Sequence, residues 1–261
     1  MHDLKGLRDE LATLGSTAGQ LETMDETTST NDVAKRAAKL GAPHLSVFVA
    51  DSQTAGRGRQ GRAWSSARGE SILTSIVLRV DCAPARLPPL SLVAGLAVCE
   101  AIAPFVDVAP QIKWPNDVWL AKKKVAGILV EASIAGDKVD SLVVGVGINV
   151  HTRSFPAEIE AIATSVALHS SRPPERAAIL ARLVHALDRD IGPAAKHGLG
   201  LVHARLAERD ALRGSFVKSE NSEGIADGID REGRLRVKTA DGVIQTWIAG
   251  EVHLGGTLDA T

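Results

Sequence analysis

Alternation of apolar and polar positions divides the chain into a run of strands and helices. Residues 1–14 carry charges at helical spacing and predict a short helix. The stretch DVAKRAAKL predicts a second, with Thr30 or Asn31 as N-cap and Gly41 as the stop. LSVFVAD and SILTSIVLRV read as strands rich in β-branched residues. LPPLSLVAGLAVCEAIAPF predicts a helix that Pro88 or Pro89 opens and Pro104 closes. It is apolar nearly all round, so it belongs deep in the core. QIKWP and DVWL are short extended pieces around a Pro-Asn-Asp turn. KVAGILVEASI and KVDSLVVGVGINV are strands with Gly-Asp between them as a hairpin turn.

From Pro173 the period becomes helical, through ERAAILARLVHALDRDI and again near LVHARLAERDAL. After Leu212 five short strand-like runs follow, from SFVKSE to EVHL, punctuated by Gly, Asp and Glu turns. Their spacing predicts a small β-barrel and a domain boundary near Leu212. The expected organisation is a helical segment over 1–22, a main domain over 23–211 and a terminal β-domain over 212–261.

Composition narrows the function classes. With 261 residues, 44% hydrophobic and 23% charged, this is an ordinary globular chain. Its 30 basic and 31 acidic residues give a net charge of −1, which argues against a general nucleic-acid or membrane-surface binder. Two cysteines make no disulfide framework, and neither signal peptide nor membrane span is legible, so a cytoplasmic setting is expected. The eight histidines show no zinc-ligand spacing, and no G-x-S-x-G elbow occurs.

The chemistry concentrates in three places. Gly56–Gly61 spells G-x-G-x-x-G, yet only nine residues separate it from the next strand. A dinucleotide loop needs a helix there, so this is not one. Arg57, Arg59 and Arg62 repel one another unless anions sit among them, which leaves an anion-binding loop or a solvated surface turn. An RNA-binding Arg/Gly tract would need repeats and disorder, and neither is present. In KWPNDVWLAKKKVAGILVE, Asn116 offers both donor and acceptor, as reading an adenine edge requires. Lys122 to Lys124 fit either an anion-binding lysine or a solvated turn. In VVGVGINV, Asn149 sits in an apolar segment and must satisfy its amide against backbone or ligand.

TSTND, QTAGRGRQGRAW, KWPND followed by KVAGILVE, and GVGINV occur in that order. The set resembles the biotin protein ligase family, closely from about Glu26 to Asn149. The resemblance implies an α/β (α+β) catalytic domain of the class II aminoacyl-tRNA synthetase type, with a mixed, largely antiparallel sheet. A C-terminal SH3-like β-barrel would follow. It implies ATP-dependent activation of biotin as biotinyl-5′-AMP, with Mg²⁺, and transfer to a lysine of a biotin carboxyl carrier domain of acetyl-CoA carboxylase or a related carboxylase. Related lipoate ligases and octanoyl transferases, and a non-enzymatic binding module, remain as other readings.

On the same resemblance, Ser29, Thr30 and Gln53 hold the polar head of biotin. Gly56, Arg57, Gly127, Gly145 and Gly147 line its pocket. Lys124 and Arg59 are catalytic, with Lys124 bridging biotin carboxylate and α-phosphate. Arg59, Arg62, Trp64, Asn116 and Asn149 serve ATP. Asp117 helps to place metal or only caps its turn, with the cap favoured, and no protein metal ligand is assigned. Gln60 and the missing arginine after EVHL depart from many relatives and leave an ATP contact from the terminal domain open. About 25 residues before TSTND are too few for a three-helix DNA reader, so no DNA partner is expected. The resemblance admits monomer or homodimer.

Overall fold

The computed structural model describes Leu4 and residues 6–255. Its core is a seven-stranded sheet. In chain order the elements are α1 (Leu7–Thr13), β1 (Leu21–Met24), α2 (Thr30–Lys39), β2 (Ser46–Ala50), β3 (Ser71–Leu78), α3 (Leu90–Ile102), β4 (Gln111–Lys113), β5 (Asp117–Leu120), β6 (Lys123–Ala135) and β7 (Lys138–Asn149). The strand order is β1-β2-β3-β7-β6-β5-β4, and every pairing is antiparallel except β1 with β2. The mixed, largely antiparallel sheet expected from the sequence is present.

Period-two alternation splits the sheet into two faces. Val47, Val49, Ile72 and Ile76 enter the large core against α1, α3 and a long helix, α5 (Arg176–His197). Phe48, Val77 and Val143 face the other way and meet Ala34 and Ala38 of α2. In α3 only Ser91 and Glu100 escape burial, as its apolar sequence predicts. Glu100 accepts bonds from Arg189 on α5 and Arg205 on α6 (His203–Glu208), which satisfy its charge.

Several details differ from the sequence expectation. The N-cap of α2 is Ser29, in extended conformation, one residue before the expected cap; Gly41 does stop the helix, at φ 89°. Strand β1 is too short and too polar to stand out by alternation, and parallel pairing with β2 creates it. Helix α5 passes Ile191 and continues through Pro193 to His197, because Ala194 and Ala195 are buried against the core. A short α4 (Ala157–Glu160) lies between β7 and α5.

The terminal unit comprises β8 (Phe216–Lys218), β9 (Glu223–Ile229), β10 (Leu235–Lys238), β11 (Ile244–Trp247) and β12 (His253–Leu254). They form one antiparallel sheet in the order β11-β10-β9-β8-β12. This fits an SH3-like domain, although the ladder is open between β11 and β12 rather than closed. The Trp114 indole donates to the Gly233 carbonyl at 3.0 Å. That bond fastens the β9–β10 turn to the seven-stranded unit.

Candidate functional site

The α2 side of the sheet explains why distant motifs meet. Residues directly opposite in an antiparallel pair point to the same face. Asp117, Gly127, Gly147 and Leu73 therefore form one row across β5, β6, β7 and β3. Leu129, Gly145 and Ser75 form the next row, and Glu131, Val143 and Val77 the third. The glycines make a depression in this face, and a pocket opens there.

Each glycine is required by a close approach. A methyl at Gly147 would lie 2.5 Å from the Trp64 ring, and one at Gly127 would lie 3.0 Å from that ring. At Gly145 it would lie 2.1 Å from Asn31 Oδ1. Of the residues expected in the site, Ser29, Thr30, Gln53, Arg57, Arg59, Trp64, Asn116, Lys124, Gly127, Gly145 and Gly147 all line this pocket.

A β-bulge decides which lysine enters. Between Val118 and Trp119 the β5–β6 register shifts, so Trp119 faces Lys124. The shift turns Lys124 onto the face of Asp117 and Gly127 and sends Val125 into the core. Lys124 Nζ lies 2.8 Å from Asp117 and 5.6 Å from the Trp64 ring centroid. Lys123 instead donates to the Glu160 carbonyl. Asp117, expected as a turn cap, is the counter-ion of Lys124.

The glycine-arginine segment is an ordered hairpin turn. Gly58 N–H donates to Arg62 O, Trp64 N–H to Gly56 O, and Gln60 and Gly61 take left-handed φ of 55° and 74°. Its three arginines splay apart. Arg57 pairs with Asp32, Arg59 donates to Asn116 Oδ1 at 3.0 Å, and Arg62 meets Glu251 of the terminal unit at 2.6 Å. A second cavity runs from Lys124 past Arg59, Arg62, Lys113 and Asn116 to Glu251. Burial pulls the Lys113 amine below its ordinary pKa, against the opposing pull of Asp117 and Glu251.

Three expected residues stand outside the first pocket. Arg62 lines only the second cavity. Gly56 sits behind Gln53, where a methyl would lie 2.8 Å from Gln53 Nε2. Asn149 is buried and donates to Thr164 O at 3.0 Å. Thr164 N–H in turn donates to Lys124 O, and Lys124 N–H to Ile162 O. Asn149 therefore braces the segment that grips the Lys124 backbone.

Sequence reasoning assigned no site role to Asn31, Ser75, Glu131, Lys35 or Lys113, although the quoted motifs contain three of them. Ser75 had one signal, a hydroxyl beside that of Thr74 within the largely apolar run SILTSIVL. Glu131 accepts from Asn31 Nδ2 at 2.7 Å and Lys35 Nζ at 2.8 Å. Burial works against its charge, but those two bonds and the nearby Arg57 hold its carboxyl below the usual range.

An antiparallel sheet with a cation-rimmed, glycine-floored pocket defines a class also recognisable in known proteins. Residues 23–149 match the biotin/lipoate A/B protein ligase family, and residues 216–255 match the biotin protein ligase C terminal domain. The biotin–[acetyl-CoA-carboxylase] ligase of Mycobacterium tuberculosis is 36% identical over 97% of this chain and 96% of its own. The bifunctional ligase/repressor BirA of Bacillus spizizenii is 35% identical over 88% of this chain and 73% of its own. A biotin protein ligase from Aquifex aeolicus, solved in complex with biotin and ATP, superposes with a TM-score of 0.77 at 28% identity, covering 90% of this chain and 99% of that one. The chain belongs to the biotin protein ligase family.

Proposed function

We propose that this chain is an ATP-dependent biotin–protein ligase. Biotin's carboxylate attacks the α-phosphorus of ATP, and pyrophosphate leaves. The ε-amine of a carrier-domain lysine then attacks the acyl carbon of biotinyl-5′-AMP. AMP leaves, the amine proton passes to solvent, and an amide remains. The observation that carries this reading is the two-ended pocket. One end presents the Thr30–Gln53 polar pair and the other presents Arg59 and Lys124, over a floor of glycine.

The residue roles follow from that polarity. Ser29, Thr30 and Gln53 meet the ring urea. Gly127, Gly145 and Gly147 admit the apolar body beside Trp64. Arg57 closes the side wall with Gly56 behind it. Lys124 and Arg59 lie where carboxylate and α-phosphate meet, and their charge lowers the repulsion between two anions. Arg62 and Lys113 extend the positive wall along the second cavity for the nucleotide, and Asn116 adds its neutral amide there. Asn149 acts from behind, through Thr164. The hairpin carrying the arginines excludes water from an anhydride that hydrolyses readily.

Bound together with ATP, Mg²⁺ would supply charge neutralisation on the phosphates. The carboxylates around the pocket are each engaged by a cation, as Asp117 is by Lys124, Glu251 by Arg62 and Glu131 by Lys35. No group of three metal-ligating side chains occurs among the described residues. The acceptor is a biotin carboxyl carrier domain, and the setting is the cytoplasm.

The test is AMP release from Mg²⁺-ATP with a carrier domain, comparing biotin with lipoate. Biotin-dependent release with a biotinylated carrier lysine is expected. Release with lipoate alone, or none with either acid from folded protein, would sink the proposal.

A further inference from the structure

Lys124 is itself an amine beside a reactive acyl group. Lys124 and Arg59 line both cavities, so they stand at the junction between the acid and the nucleotide. The Lys124 amine lies over the glycine floor, where a methyl at Gly127 would be 3.2 Å from Nζ. In the ligase reading above, on which this inference rests, that junction holds the acyl carbon of biotinyl-5′-AMP. A neutral amine there would attack it. A C–N bond would form and the C–O bond to the phosphate would break. AMP would leave, the amine proton would pass to solvent, and Lys124 would end as an uncharged amide. An ammonium has three hydrogens to donate and no lone pair, so it cannot attack.

What keeps the proton on Lys124 follows from a count of charges. Once pyrophosphate has left, the adenylate presents a single negative charge to two cations, Arg59 and Lys124. Lys113 and Arg62 add positive charge along the second cavity, where Glu251 engages Arg62 at 2.6 Å. Asp117 stands in the row of Gly127, 2.8 Å from Lys124 Nζ, and supplies the second negative charge at the junction. With it, two cations face two anions. Without it, the excess positive charge is relieved at Lys124, because a guanidinium keeps its proton.

The geometry points to Asp117 as a positioning residue that holds Lys124 as an ammonium while the adenylate is present, so that the carrier lysine and not Lys124 takes the biotinyl group. Lys124 is then a latent self-modification site, closed by one carboxylate.

The experiment supplies synthetic biotinyl-5′-AMP at saturation, without magnesium, ATP or acceptor, and locates acylated lysines by peptide mass spectrometry between pH 7 and pH 9. The set is wild type, Asp117→Asn, Asp117→Glu and the double variant Asp117→Asn/Lys124→Arg, with thermal melting and isothermal titration of the adenylate alongside. Asp117→Asn keeps the size of the side chain and removes its charge. It should acquire a biotinyl amide on Lys124 about 10-fold or more faster than wild type at pH 7.5, as loss of an opposite charge in contact implies. In both, the rate should climb with pH, as attack by a free amine requires. Asp117→Glu restores the charge and should stay within threefold of wild type. The double variant should carry no adduct at position 124, and surface lysines, acylated equally in all four proteins, serve as the reference.

An Asp117→Asn enzyme whose Lys124 is acylated within twofold of the wild-type rate would overturn the inference. So would an Asp117→Glu enzyme acylated as fast as Asp117→Asn, or adducts confined to other lysines. If Asp117→Asn fails to fold or to bind the adenylate, Asp117→Ser takes its place under the same limits. Folded wild type that neither binds the adenylate nor passes biotin to a carrier domain would overturn the ligase reading and this inference together. A wild type that biotinylates a carrier domain isolates a failure to the inference alone.

Discussion

Replacing Lys124 with alanine tests the catalytic assignment most directly. The ammonium stands between Asp117 at 2.8 Å and Trp64, with its side chain 35% exposed. A unit charge about 4 Å from a reacting oxygen is worth about 4 kcal/mol at an effective dielectric near 20. That corresponds to about three decades of rate. Asp117 offsets part of the field, so kcat for pyrophosphate release at saturating biotin and Mg²⁺-ATP should fall about 100- to 1,000-fold. Stability should hardly change, since partly exposed ion pairs contribute about 1 kcal/mol at most, a shift of roughly 2–4 °C in Tm. Lys123→Ala is the control: its amine points to Glu160, so activity should stay within about threefold. A Lys124→Ala enzyme within tenfold of wild type, or a large loss in Lys123→Ala instead, would refute both the assignment and the role given to the bulge.

Gly145→Ala places a methyl 2.1 Å from Asn31 Oδ1, and Asn31 is held by Glu131 and Ser75. Overpacking of that kind costs about 1–3 kcal/mol. Isothermal titration should show biotin affinity falling with it, and unchanged affinity would contradict the packing described. Arg176 is 2% exposed, donates to the Ser71 carbonyl and pairs with Asp51 at 2.9 Å. Arg176→Met should lower stability by about 3–5 kcal/mol in urea denaturation, and a loss below about 1 kcal/mol would show the pair to be dispensable. Burial raises the Asp210 carboxyl above its ordinary range, against bonds from nearby backbone N–H groups. A carboxyl with a raised folded pKa contributes stability below the unfolded value of 3.8 and loses it as pH rises through the folded one. Melting of Asp210→Asn should therefore gain on wild type between pH 4 and pH 7.5; a difference independent of pH would refute the sign.

Much of the architecture is written in local pattern. The buried run SILTSIVL, the all-apolar α3 and the Gly-Asp hairpin between β6 and β7 each announce themselves by periodicity or turn chemistry, because burial and backbone conformation act within a few residues. The motifs that form the pocket wall are legible for the same reason: glycine and arginine in that order have few structural uses. Strand β1 and the continuation of α5 past Pro193 are not local properties, and their partners elsewhere in the chain create them.

The sequence by itself determined the strands other than β1, the apolar core, the cationic motifs and the family they resemble. Tertiary structure supplied the reason why Lys124, which the resemblance singles out, faces the pocket and Lys123 does not, since a one-residue shift of register turns a side chain to the opposite face of a sheet. It also decided that Asn149 braces Lys124 through Thr164 and that Glu131, 100 residues from Asn31, fixes its amide. Hydrogen bonds have direction and a reach of about 3 Å, and neither property can be read from separation along the chain.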